Sequence, residues 1–395
     1  MSAYDGRVAV AGIGATAFTK DSGRSELALA AEAVRSALAD AGLEPADVDG
    51  MVTFTMDTSP EITVAAAAGI GELSFFSRVH YGGGAACATV QQAALAVAAG
   101  IAEVVVCYRA FNERSGRRFG AGVQRREPSA EGAALGWVLP FGLLTPASWV
   151  AMAARRYLHV YGLEPEVFGH VAVTARRHAA RNPAAYFHDR PITLADHAAS
   201  RWIAEPLRLL DCCQETDGGQ ALVVTSTERA RTLRHPPAVI LAAAQGAGRA
   251  QEQMTSFYRD GFRRDDGRCR DGLAGLPETA VVARQLWAAS GGLRPADIDV
   301  AILYDHFTPY VLMQLEEFGF CGPGEGGPFT ASGALPLNTH GGQLGEAYLH
   351  GMNGIAEAVR QLRGTSVNQV PGAARVLVTA GTGVPTSGLI LGADG

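Results

Sequence analysis

Apolar residues recur at helical spacing after Ser25 (Leu27, Ala31, Val34, Leu38), and the period stops at Gly42. The chain then runs through Leu43-Glu44-Pro45-Ala46-Asp47-Val48-Asp49 into a continuous apolar stretch, Gly50 to Phe54, which predicts a strand. The same succession returns far downstream. Val281 to Ser290 predicts a helix ending at Gly291-Gly292, followed by Leu293-Arg294-Pro295-Ala296-Asp297-Ile298-Asp299 and an apolar strand from Val300 to Tyr304. The two L-x-P-A-D-[VI]-D stretches, starting at positions 43 and 293, stand 250 residues apart. Each combines a glycine helix cap, a turn bearing proline and aspartate, and the start of a strand. A match of helix, turn and strand together predicts an internal duplication.

Further elements pair in the same way. Gly82-Gly83-Gly84 opens a helix of small residues reaching Ala99-Gly100, with a strand at Val104 to Val106. In the second half Gly341-Gly342 leads to a helix from about Gly351 to Leu362, then a strand at Val376 to Val378. Helices alternating with unbroken apolar strands predict α/β halves with buried parallel sheets and helices on their faces. From about 111 to 205 the chain turns rich in Arg and His, which reads as an insertion capping the active-site face. The strand Ala221 to Val224 closes the first half, so the halves are expected at 1–235 and 236–395.

Composition narrows the function. A chain of 395 residues exceeds the roughly 250–300 that one core serves, which agrees with two halves. A net charge of -6 argues against nucleic acid and acidic membrane surfaces as partners. The most apolar stretch, Ala93 to Tyr108, is broken by Glu103 and predicts a buried helix running into a buried strand, not a membrane span. The six cysteines include no C-x-x-C pair, and no His/Cys set has metal-site spacing, so no metal is expected. Free thiols and no signal peptide suggest a soluble, cytoplasmic protein. Arg114, Arg117, Arg118, Arg125 and Arg126 read as a solvated loop that also suits a phosphate-bearing ligand.

The duplicated turn, Asp217-Gly218-Gly219, Gly341-Gly342, Leu362-Arg363-Gly364, Asn368 to Ala373 and Gly381-Thr382-Gly383 follow one another in a specific order. Over nearly the whole chain this order resembles the thiolase superfamily, in its sterol-carrier-protein-X or lipid-transfer-protein branch. The resemblance implies a thiolase fold: two duplicated βαβαβαββ-type halves in a five-layered αβαβα architecture, with an inserted loop domain. Thiolases carry a nucleophilic cysteine seventeen residues before a glycine that corresponds to Gly100, so the nucleophile position falls on Gly83. Glycine cannot be acylated. Cys87 lies one helical turn further on and reads as core packing. Tyr304-Asp305-His306-Phe307 resembles the family's H-D-x-F stretch, and Ala347 to Gly354 its G-H-P-x-G-x-x-G loop. Tyr304 and Tyr348 thereby stand at both oxyanion-hole positions.

A thiolase pocket without its thiol still suits retro-aldol cleavage, in which a thioester enolate is stabilised and protons are moved. The pattern is similar to that of the steroid side-chain-cleaving aldolases of this superfamily. That resemblance implies a β-hydroxyacyl-CoA lyase giving a ketosteroid and propanoyl-CoA, with the CoA thioester as substrate and no separate cofactor. It further implies a homodimer and a small OB-fold and zinc-ribbon partner derived from a hydratase. Tyr304 and Tyr348 become the acid/base pair, one phenol relaying the hydroxyl proton if a neighbouring charge lowers its pKa. Asp305 and His306 become supporting residues or an alternative base, and Tyr258 a further group reaching the cleft. Gly83 and Gly84 would leave room for a bulky substrate, with His350 and Gly383 as further substrate-binding positions. Each has a plainer reading: Tyr304 a packing residue, His306 and His350 structural histidines, Glu346 a solvated charge. Two rival functions stay open, a degenerate thiolase using Cys87 or another thiol, and a non-catalytic lipid- or CoA-binding scaffold for a hydratase.

Overall fold

A computed structural model describes residues 6–80, 82–116, 118–122, 135–136, 138–248, 274–382 and 385–394. The first half runs β1 (Val8–Ala15), α1 (Glu26–Ala41), β2 (Gly50–Phe54), α2 (Glu61–Ala68), β3 (Phe75–Val79), α3 (Ala86–Ala98) and β4 (Val104–Asn112). An insertion follows, with α4 (Pro146–Tyr161), α5 (Gly169–Arg181), α6 (Leu194–Ala199) and a hairpin of β5 (Trp202–Ala204) and β6 (Leu207–Arg208). The half closes with β7 (Asp217–Ser226) and α7 (Thr227–Ala230). The second half holds β8 (Ala238–Gly246), α8 (Pro277–Ala289), β9 (Val300–Ile302), α9 (Thr308–Glu317), α10 (Gly326–Ser332), α11 (Gly342–Gly345), α12 (Met352–Arg363), β10 (Arg375–Ala380) and β11 (Thr386–Ala393). Among the described residues no helix is long and apolar enough to cross a membrane.

Nine strands form one sheet in the order β3-β2-β4-β7-β1-β8-β11-β10-β9. The halves join where β1 meets β8, at Ala9 opposite Val239 and Val10 opposite Ala238. The expectation of all-parallel sheets needs correction. β2 is parallel to β3 and β4, and β9 to β10, but β4–β7, β1–β7, β8–β11 and β10–β11 are antiparallel. Unbroken apolar strands report burial on both faces, which either direction satisfies.

The period-2 alternation of the strands sorts the layers. Val105 and Cys107 face a core shared with α3, α12, Ile302, Val376 and Val378, so helices from both halves lie between the two half-sheets. Val104, Val106 and Tyr108 face the opposite way, toward α1 and α2. In the second half Ala301, Leu303 and Leu377 face α8 and α9. Helix, sheet, helices, sheet, helix is the resulting order. The small side chains of α3 follow from its place, since both of its faces meet a sheet.

The duplication extends to individual hydrogen bonds. Asp47 accepts from the Glu44 amide and Asp297 from the Arg294 amide, both at 2.9 Å. Asp49 accepts from the amides of Glu103 and Val104, and Asp299 from those of Ala374 and Arg375, each tying down the start of the next strand. One element is not copied. Where the first half has β3, the second has only a bridge between Ala301 and Leu337. Pro336 has no N–H to donate, and the Asn338 side chain takes the place of a strand, accepting from the Leu303 amide at 2.7 Å and donating to its carbonyl at 2.9 Å.

The insertion packs on the outer face of the second half, with Val150, Ala154, Tyr157, Phe168 and Val171 in one core with Leu312 and Leu315. Within that core the Tyr157 hydroxyl donates to the Glu316 carboxyl, which also accepts from the Gly326 amide at 3.2 Å. Burial pushes the Glu316 carboxyl up to about 7. A folded-state value above the unfolded one, roughly 4.3, adds stability at low pH that is lost as pH rises through 7. Urea unfolding is therefore expected to show wild type losing stability relative to Glu316→Gln between pH 4.5 and 8. A constant gap would contradict this assignment.

Candidate active site

β9 ends at Ile302, two residues earlier than the apolar pattern predicts. Leu303 and Tyr304 leave the ladder because side chains take over their backbone bonding. The Tyr304 amide donates to Thr379 Oγ1 at 2.9 Å, and its carbonyl accepts from Gln314 Nε2 at 2.9 Å. The ring, 3% exposed, is thereby held against the turn before α3. A Cβ built on Gly83 would lie 1.6 Å from the Tyr304 hydroxyl oxygen. The phenol fills the space a side chain at position 83 would need. One built on Gly84 would lie 1.7 Å from the Pro385 carbonyl oxygen. The reading of Gly83 and Gly84 as room for substrate is therefore corrected: the space belongs to Tyr304 and to the 385 backbone.

Tyr348, 9% exposed, sits on the loop between α11 and α12, with its hydroxyl 3.4 Å from that of Tyr304. The segment leading into β7 connects both tyrosine-bearing loops. The Cys213 amide donates to the His306 carbonyl, Gln214 to that of Gln343, and the Tyr348 amide to Thr216 Oγ1 at 2.9 Å. From α5 and its following turn, the Tyr186 amide donates to the Glu346 carbonyl at 2.9 Å, and Asn182 to the Glu346 carboxylate at 3.0 Å. Glu346 is buried and also accepts from Asn353 at 2.8 Å, so it is not a solvated charge. Asp305 lies against the start of α11, accepting from the Gln343 amide at 2.8 Å, and a Cβ on Gly342 would fall 1.8 Å from its Oδ2. Asp305 thus anchors the loop carrying Tyr348, and burial raises its pKa.

Burial raises the pKa of both phenols. For Tyr348 the neighbours Tyr304, Cys213 and Glu113 raise it further. The expected lowering by a nearby charge is absent, and both phenols stay protonated hydrogen-bond donors. His306 stands 4.7 Å from the Tyr304 ring and close to Phe307 and Tyr310, and burial brings its pKa down to about 3. Its ring is neutral at neutral pH, and both ring nitrogens are buried without a hydrogen-bond partner among the described residues. His350 has a φ of 53° and stacks on Phe111 with ring centres 5.1 Å apart. Its Nδ1 accepts from Arg109 Nε at 3.1 Å, and burial next to Arg109 holds its pKa well below the usual histidine value. That bond assigns the ring proton to Nε2, the nitrogen facing Gly82. Tyr258 and Gly383 lie outside the described residues.

Sequence reading missed two features. Arg109 and Asp57, each buried, pair at 3.0 Å, with Thr53 donating to Asp57 at 2.8 Å and Arg109 over the Phe111 ring at 4.0 Å. The signal was an arginine inside the apolar run Val104 to Phe111. Arg109→Met leaves Asp57 without its partner and is expected to cost ~3–5 kcal/mol, read as a lowered urea midpoint. Glu113, just after β4, is the second, a carboxyl 2% exposed. Cys87, by contrast, is buried between α3 and β10 and donates to the Val378 carbonyl at 3.7 Å. Burial pushes its thiol far up, away from the thiolate that acyl capture needs. Of the arginine cluster, Arg118 is taken by Glu215 at 2.7 Å.

Comparison with known proteins agrees with this geometry. Residues 8–228 match the N-terminal domain of thiolase, and residues 274–392 the thiolase C-terminal domain-like family. The chain is 67% identical to a steroid side-chain-cleaving aldolase of Thermomonospora curvata, over 100% of both chains. It is 64% identical to the 17-hydroxy-3-oxo-4-pregnene-20-carboxyl-CoA lyase of Mycobacterium tuberculosis, over 98% of this chain and 99% of that one. The solved structure described as Ltp2-ChsH2(DUF35) aldolase superposes with a TM-score of 0.92 at 66% identity, covering 100% of this chain and 99% of that one. With both halves matched, the chain belongs to the thiolase family.

Proposed function

We propose that this protein is an acyl-CoA carbon–carbon lyase, a retro-aldolase that cleaves a β-hydroxyacyl-CoA. The substrate is a steroid side chain of the 17-hydroxy-pregnene-carboxyl-CoA type, and the products are a ketosteroid and propanoyl-CoA. The carrying observation is the Tyr304 hydroxyl where a side chain at position 83 would sit, 3.4 Å from the hydroxyl of Tyr348. No acyl group can be captured there, whereas two neutral phenols can donate to a thioester oxygen as it becomes an enolate and to the β-hydroxyl beside it. Likeness to one relative named a steroid side-chain-cleaving aldolase and one named a pregnene-carboxyl-CoA lyase, over nearly the whole of each, supports the steroid class.

The reading includes no cofactor beyond the CoA thioester of the substrate, a homodimer, and a cytoplasmic location. It includes a small OB-fold and zinc-ribbon partner, supported by the second component named in the similar solved structure. To test it, the protein and its partner are incubated with the steroid β-hydroxyacyl-CoA, and ketosteroid and propanoyl-CoA are quantified. Both products in equal amounts are expected. Their absence, or an acyl group found on the polypeptide by mass spectrometry, would sink the lyase reading.

A further inference from the structure

Glu113 is a buried carboxyl that forms no ion pair among the described residues. Its Oε2 has no hydrogen-bond partner among the described residues. The cations around it are committed elsewhere. Arg109 pairs with Asp57 and donates to His350, while Lys20 donates to Gln214 Oε1 at 2.8 Å and to the Glu215 carbonyl at 2.7 Å. Burial, reinforced by Glu215 and Asp217, raises the Glu113 pKa well above the carboxylate range, and Arg109 and Lys20 offset only part of it. Glu113 sits beside the loop that carries Tyr348: the next amide, that of Arg114, donates to Asp217 at 2.9 Å, and Thr216, adjacent to Asp217, accepts from the Tyr348 amide at 2.9 Å. Its carboxyl also raises the pKa of Tyr304, Tyr348 and Cys213. Leaving such a group unpaired in a core is costly.

Retro-aldol cleavage needs a group that holds a proton between two events, removal from the β-hydroxyl and delivery to the α-carbon. Burial disfavours the charged form of both phenols and of His306, whereas Glu113 lies beside Lys20 and Arg109, which favour its ionised form. We propose that Glu113 is the proton-holding residue of this site, serving the substrate through the phenol pair across one ordered water. In its ionised form, which the raised pKa confines to higher pH, the Glu113 carboxylate takes one phenol's proton while that phenol's oxygen takes the β-hydroxyl proton. The O–H electron pair becomes the new C=O bond, and the Cα–Cβ pair becomes the enolate. The proton then returns by the same route and forms the Cα–H bond. Charge and atoms balance, and nothing is oxidised or reduced.

This inference rests on the lyase reading, so the experiment separates the two. With wild type active on the steroid β-hydroxyacyl-CoA, Glu113→Gln is expected to lower kcat by ~10²–10⁴-fold with little change in KM. It also removes the acid limb of the kcat–pH profile, and Glu113→Asp keeps that limb with partial activity. Unchanged circular dichroism and unfolding midpoint for Glu113→Gln exclude a folding defect, and Glu113→Asp carries the pH comparison where the glutamine variant is unstable. An active wild type whose Glu113→Gln variant keeps kcat within threefold, or keeps the acid limb, overturns this role alone. A wild type that cleaves nothing overturns the lyase reading, and this role with it.

Discussion

Tyr348→Phe is expected to lower kcat by ~10²–10³-fold while leaving the fold intact. Among the described residues its hydroxyl makes a single long contact, 3.4 Å to Tyr304, whereas its backbone is held separately by Thr216. Removing one oxygen therefore deletes a donor and little else. Tyr304→Phe is expected to behave alike, and the double variant to lose little beyond either single one, because donors serving one transition state act as a unit. Steady-state formation of ketone and short acyl-CoA measures this. Unchanged turnover in Tyr348→Phe would favour a scaffold over a lyase.

Gly83→Ala is expected to damage both stability and activity. Its Cβ would stand 1.6 Å from the Tyr304 hydroxyl oxygen and 2.3 Å from the ring carbon bearing it, so the ring must move. Overpacking of this kind typically costs ~1–3 kcal/mol, and displacing a catalytic group by about 1 Å costs on the order of 10² in rate. In the background of Tyr304→Ala, which itself opens a cavity, Gly83→Ala should add no further destabilisation, since the clash then has no partner, while activity stays absent. Additive destabilisation in that double variant would show that position 83 and Tyr304 do not share one space. For the same reason Gly83→Cys alone is not expected to create a thiolase: the thiol would compete with the phenol for its place.

Local chemistry carried far. Helical periods, glycine caps and the repeated proline–aspartate turn act over neighbouring residues, so the duplication and both half-sheets could be read from residue order, as could the glycine at position 83. Sheet direction could not, because burial on both faces leaves the same apolar run in parallel and antiparallel strands. Nor could the shortened β9, which ends where Asn338 and Thr379, distant in the chain, take over its backbone bonds. Tyr304 and Tyr348 were legible as motif positions, 44 residues apart, but only folding brings their hydroxyls to 3.4 Å and raises both pKa values. Glu113, Glu346 and the Arg109–Asp57 pair read as ordinary charges along the chain. Their meaning depends on loss of water and on which partners are within reach, and both arise from long-range packing that local order does not encode.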